Sequence, residues 1–223
     1  MKIRSHHSFA PSLLLFLLLP FILFPPTTSY DPSPDQDFCI AIPNSSISVN
    51  GFPCKPSSSV TSDDFFFTKL SVNLNTSSPF NASATLIDVL SFPALNTLGI
   101  SVASVVFGRG GLIQPHTHPL ATEIVFVTEG QVLIGFVATD GRYFSKVVGA
   151  GGLFVIPMGL VHFEYNVGKG IATATVAFNS QLPGIVIPAA ELFGSTPAVP
   201  DAVLREAFGV GEEVVQEIRA KFG

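Results

Sequence analysis

A chain of 223 residues with eleven Lys and Arg against sixteen Asp and Glu carries a formal net charge of −5, and its basic residues are sparse and unclustered. That excludes a nucleic-acid binder, which needs a basic patch to meet a phosphate backbone. With only two cysteines and five histidines, any thiol or imidazole chemistry has to come from very few positions.

Residues 1–29 read as a secretory signal peptide. Lys2, Arg4 and the His6–His7 pair precede the apolar run LLLFLLLPFILF, and the small, polar PTTSY follows, with cleavage expected near Ser29. The run from Leu13 to Phe24 is shorter than the ~20 residues needed to cross a bilayer, and Pro20, Pro25 and Pro26 interrupt it. No later segment is long and apolar enough to span a membrane, so the mature protein is expected to be soluble and exported. Loss of Lys2 and Arg4 takes the net charge from −5 to −7. The roughly 194 residues that remain suit one large all-β domain or at most two small ones.

Residues 30–84 form an N-terminal extension rich in Ser, Asn and Pro. Cys39 and Cys54, fifteen positions apart, read in an exported chain as a disulfide closing a short loop, worth ~3 kcal/mol on the chain-entropy account. Two buried free thiols are the alternative. Asn44-Ser-Ser, Asn75-Thr-Ser and Asn81-Ala-Ser match the glycosylation acceptor pattern in loop-like surroundings.

Residues 85–195 are a succession of short β-rich runs: TLIDVLSF, TLGISVASVVF, TEIVFV, QVLIGFV, YFSKVV, LFVIP, VHFEYNV and IATATVAF. Glycines punctuate them, and Asp140-Gly141 is a hairpin signal, so the pattern predicts a sandwich or barrel of antiparallel strands. Residues 196–223 change period. Helices are predicted over 200–208 and 212–222, the second with apolar Val214, Val215, Ile218 and Phe222. Their apolar faces either pack on a neighbouring subunit or cover the barrel's own open edge.

The chemistry concentrates in QPHTHPLATE, residues 114–123. On a strand, residues i and i+2 share a face, so His116 and His118 project side by side while Thr117 faces away. Glu123 lies at an odd spacing, which one unbroken strand would turn to the opposite face. Pro119 ends that strand, so Glu123 opens the next one and faces the same interior. His162, the third histidine after the leader, shares a strand face with Glu164. A hydrogen-bonded structural role is the usual reading of a lone strand histidine, but three that converge with a carboxylate point to a divalent ion. Three imidazoles and one carboxylate without thiolate suit Mn, Fe, Zn or Cu.

These segments together resemble plant germins and germin-like proteins of the cupin superfamily. GGLIQPHTHPLATEIVFVTEG at 110–130 resembles the first cupin box and GGLFVIPMGLVHFEYN at 151–166 the second. QDFC, VNGFPCK, SDDF, NTLGIS, FNSQLPGIV and ELFGS are similar to further germin landmarks. The resemblance implies an all-β cupin jelly-roll barrel with C-terminal α-helices. It also implies manganese, Mn(2+), on His116, His118, Glu123 and His162, a Cys39–Cys54 disulfide and glycosylation. A homohexamer built as a trimer of dimers in the apoplast is part of the same expectation, with the helices clasping the partner subunit.

Activity carries over less simply. Oxalate oxidases of this family place two asparagines on the substrate where this chain has Ala103 and Ile113, and neither donates a hydrogen bond. Met158 stands where an arginine is common. Oxalate oxidation is therefore not expected. Glu164 is a further pocket candidate, as a solvated or outer carboxylate rather than a direct ligand. The resemblance leaves three functions: a superoxide dismutase with a role in plant defence, a non-enzymatic binding protein for a small ligand in the manner of the auxin-binding relatives, or a structural or storage glycoprotein of the wall.

Overall fold

The computed structural model describes residues 37–47, 51–68, 70 and 78–222. The leader and Asn75 lie outside them. Among the described residues the chain forms β1 (Ala82–Ile87), β2 (Ser101–Phe107), β3 (Leu112–His116), β4 (Glu123–Glu129), β5 (Gln131–Val137), β6 (Tyr143–Gly149), β7 (Leu153–Ile156), β8 (Val161–Asn166) and β9 (Ala172–Phe178). They assemble into two antiparallel sheets, ordered β1-β2-β9-β4-β7 and β3-β8-β5-β6.

Alternation builds the core. In β2, Ser101, Ala103, Val105 and Phe107 are buried while the residues between them are not, and β9 repeats the pattern at Ala172, Ala174, Val176 and Phe178. Their inward faces meet Val125 and Val127 of β4 and Val132 and Ile134 of β5, all fully buried. Each such aliphatic side chain contributes about 1.5–3 kcal/mol by leaving water.

The chain passes between sheets at Gly130. This glycine alone separates β4, in one sheet, from β5, in the other. It has a φ of 79°, and a Cβ there would lie 2.7 Å from the Cβ of Ala172. Only a residue without a side chain fits both constraints. At the Asp140-Gly141 signal, β5 and β6 are joined by a wider loop: the Ala138 N–H donates to Arg142 O at 2.9 Å, and Gly141 supplies the positive φ of 81°.

Before the barrel, Cys39 and Cys54 form a disulfide. Asn96, fully buried, donates from Nδ2 to Cys39 Sγ at 3.1 Å and to Phe52 O at 3.0 Å, which fixes the disulfide loop onto the turn before β2. Asn44 is exposed on a turn, whereas Asn81 has a positive φ of 49° and donates from Nδ2 to Arg109 O at 3.1 Å.

After the barrel come α1 (Pro188–Phe193), α2 (Asp201–Phe208) and α3 (Glu212–Arg219). The first of these was not predicted from the sequence, because six residues are too few to show a helical period. Phe193, Leu204 and Val215, one from each helix, bury against one another. Arg219 ties them together, donating to Asp201 Oδ1 at 2.9 Å, to Phe193 O at 3.1 Å and to Val199 O. Val203 and Phe208 stay exposed on the outer side.

Gly130→Ala is expected to lower stability by at least about 2 kcal/mol, from a positive φ and a backbone clash together. A denaturant titration reads this as a lower midpoint at unchanged slope.

Candidate metal centre

His116 closes β3, and its in-register partner across the ladder is His162 of β8. The regular strand stops there, one turn of the pleat short of His118. Thr117 carries the extended conformation onward through an isolated bridge, its N–H and C=O both bonded to Val186 at 2.9 Å. His116 and His118 consequently share the inner face, 4% and 5% exposed. Pro119 then opens a turn, and Glu123 begins β4 in the opposite sheet. The ligand set is thus supplied from both sheets.

A bulge brings in one more residue. Between Ile113 and His116 the β3–β8 register shifts, at Gln114-Pro115, where proline has no N–H to give a ladder. Ile113 pairs with Glu164 and His116 with His162, so two residues three apart face the same interior.

The donor atoms of His116, His118, Glu123 and His162 all lie within 4.8 Å of one another. Glu123 Oε2 is 2.9 Å from His162 Nε2 and 3.4 Å from His118 Nε2. The imidazole rings of His116 and His162 lie 4.1 Å apart between centroids. Each Nδ1 faces a backbone carbonyl: Gln114 O at 2.9 Å for His116, Leu160 O at 2.8 Å for His162, and Gly184 O for His118. A carbonyl only accepts, so each Nδ1 carries a proton, and in the neutral ring that leaves Nε2 with a lone pair pointing inward. The His162 Nε2 and one Glu123 oxygen are fully buried and have no hydrogen-bond partner among the described residues. Acceptors gathered in this way repel one another unless a cation joins them, and a divalent metal ion fits that need.

Burial, with His162 next in size, pulls the pKa of His116 down to about 4, and burial also lowers that of His118. Both imidazoles are therefore neutral near pH 7 and available as ligands.

Beside the four residues lies a cavity of about 230 Å³. Ala103 and Ile113 both line it, among Val105, Phe107, Val176 and Phe178. Glu164 lies in the same wall, outside the ligand cluster, and is 3% exposed, which removes the solvated reading of this residue. Burial, then the nearby Glu123, raises its pKa well above the usual carboxylate range. Met158 is not part of the cavity. It sits 52% exposed on the turn between β7 and β8, where Gly159, at φ 77°, bonds its N–H to His118 O at 3.0 Å and leaves the methionine in solvent. Sequence reasoning also missed the three carbonyls that set the histidine tautomers and the Phe178 ring, 4.7 Å from that of His118.

Comparison with known proteins agrees with the geometry. The cupin family model matches residues 68–216. Germin-like protein 3-7 of Oryza sativa subsp. japonica is 47% identical over 100% of this chain and 97% of its own length. This chain is a germin-like protein of the cupin family. The rhicadhesin receptor of Pisum sativum is 49% identical, covering 84% of this chain and 86% of its own length. Among solved structures, a recombinant oxalate oxidase in complex with glycolate superposes with a TM-score of 0.83 at 46% identity, over 86% of this chain and 98% of that one.

Folding lowers the pKa values of His116 and His118, so as pH falls below the ordinary 6.5 the unfolded chain takes up protons first. The stability held in neutral imidazoles is complete above that pH and drains away as pH falls to about 4, amounting to about 3 kcal/mol at His116. Melting curves of chelator-treated protein should show this loss between pH 7 and 4, and His116→Gln should flatten it.

Proposed function

We propose that this germin-like protein is secreted to the plant apoplast, holds manganese and dismutes superoxide there, with a role in defence. The carrying observation is the convergence of three imidazoles with inward lone pairs on a buried carboxylate. His116, His118 and His162 would hold the ion through Nε2 and Glu123 through Oε2. Such an ion supplies one-electron redox chemistry to a small oxidant or reductant. The family resemblance favours manganese, and an N3O donor set without thiolate admits it. The residues around the site keep it dry on one side, where Phe178 packs on His118 and Val176 lines the cavity. The backbone carbonyls hold each ring in the one tautomer that leaves its Nε2 free. In keeping with the family, the proposed assembly is a glycosylated homohexamer.

Oxalate is a poor candidate substrate. Ala103 and Ile113 offer a dicarboxylate no hydrogen-bond donor, and Glu164 adds a second carboxyl group beside Glu123. Superoxide needs no such donor pair. A second reading, a binding protein for a small organic molecule, is favoured by the size and apolar lining of the cavity, and a pea relative is named as a receptor.

Purified protein should contain manganese in proportion to the chain, dismute superoxide and leave oxalate unconsumed. His118→Ala should lower metal retention by at least about tenfold and abolish dismutation. Elemental analysis and paired assays check both. A metal-free wild type, or dismutation that survives the substitution, overturns the proposal.

A further inference from the structure

The cavity wall carries one polar group for which the metal centre has no use. Among the described residues neither carboxyl oxygen of Glu164 has a hydrogen-bond partner, although the residue is 3% exposed and lines the cavity. Its ladder neighbours are Ile113 on β3 and Ile134 on β5, and neither side chain has a donor to offer. Away from the metal centre the rest of that wall is apolar, with Ala103, Val105, Phe107 and Val176 among its residues. A polar group buried without a partner is costly, and a ligand that brings the partner recovers the cost on binding.

The ligand's chemistry follows from the wall. Its body must be apolar to lie against Val105, Phe107 and Val176, and it must carry a polar hydrogen to Glu164. At least one oxygen of a carboxyl group accepts a hydrogen bond whether or not the group is ionised, and a hydroxyl, which both donates and accepts, satisfies either form. Size is permissive, since an apolar cavity of ~150 Å³ already takes benzene and this one measures about 230 Å³.

We infer that Glu164 is a specificity-determining residue that selects a small, largely apolar molecule bearing a hydroxyl group. The inference deepens the small-molecule reading of this cavity and requires no ion. It also gives the site a polarity opposite to one built for a dicarboxylate: an acceptor stands in the wall where a substrate anion would need donors.

Benzyl alcohol and toluene are matched probes, sharing the ring and differing in the hydroxyl. Titrated by calorimetry or NMR into the full chain purified from a eukaryotic host, before and after chelator treatment, benzyl alcohol should bind roughly tenfold tighter than toluene. Glu164→Met should erase that preference while toluene still binds, which shows the cavity intact. Glu164→Gln, whose amide oxygen accepts, should retain it. Equal binding of the two probes to the wild type overturns the inference, as does a preference that persists in Glu164→Met. So does a preference that chelation removes, because the ion rather than Glu164 would then hold the hydroxyl. Metal-free protein with a Glu164-dependent preference would sink the metal reading alone. Metal-replete protein indifferent to Glu164 would sink this inference alone.

Discussion

His162 Nε2 and Glu123 Oε2 face each other at 2.9 Å, both buried. The barrel is what brings them together, in the place where an ion would take a lone pair from each. Glu123 belongs to the five-stranded sheet and His162 to the four-stranded one, so packing the two sheets brings the two side chains together. The hydrophobic layer between the sheets, with Val125, Val127, Val132 and Ile134 fully buried, supplies the force that holds them there. Core packing and site chemistry are in this sense one arrangement: what stabilises the barrel also concentrates the lone pairs.

Much of this was legible along the chain because strands write their burial in a period of two. The runs from TLGISVASVVF to IATATVAF each contain a strand, and the paired histidines do share a face. Where that period breaks, alternation alone does not suffice: Pro119 marks one break in the sequence itself, and the family resemblance rather than the period points to Ile113. A strict alternation would turn Ile113 away from His116, and the bulge at Gln114-Pro115 turns it back. The extension to His118 rests on a bridge to Val186, nearly seventy residues away in sequence, which no local pattern signals. The carbonyls of Gln114, Leu160 and Gly184 act through the backbone, where residue identity carries no message. Met158 failed for a related reason: its place next to a second-box motif is a matter of sequence, while the positive φ of Gly159 decides where the turn leaves it.

The cavity shows how one scaffold separates holding a metal from choosing what meets it. Four residues near the sheet junction gather the lone pairs. A different set, with Ala103 on β2, Ile113 on β3 and Glu164 on β8, faces the space beside them. Ile113 and Glu164 are partners in one ladder, so an apolar residue and an unpaired carboxyl stand side by side in the wall. Changes in that second set alter recognition without touching the first.

The three tautomer-setting carbonyls are not equivalent in origin. His116 and His162 each bond the carbonyl two residues earlier, Gln114 within β3 and Leu160 just before β8, so their rings are oriented by purely local backbone. His118 depends on Gly184, which belongs to the segment leading from β9 into the C-terminal helices. Two ligands are preset as soon as their strands form, and the third is aligned only when the tail of the chain has been laid across the barrel. The centre therefore has a seam: its completion doubles as a report that the C-terminal segment is in place.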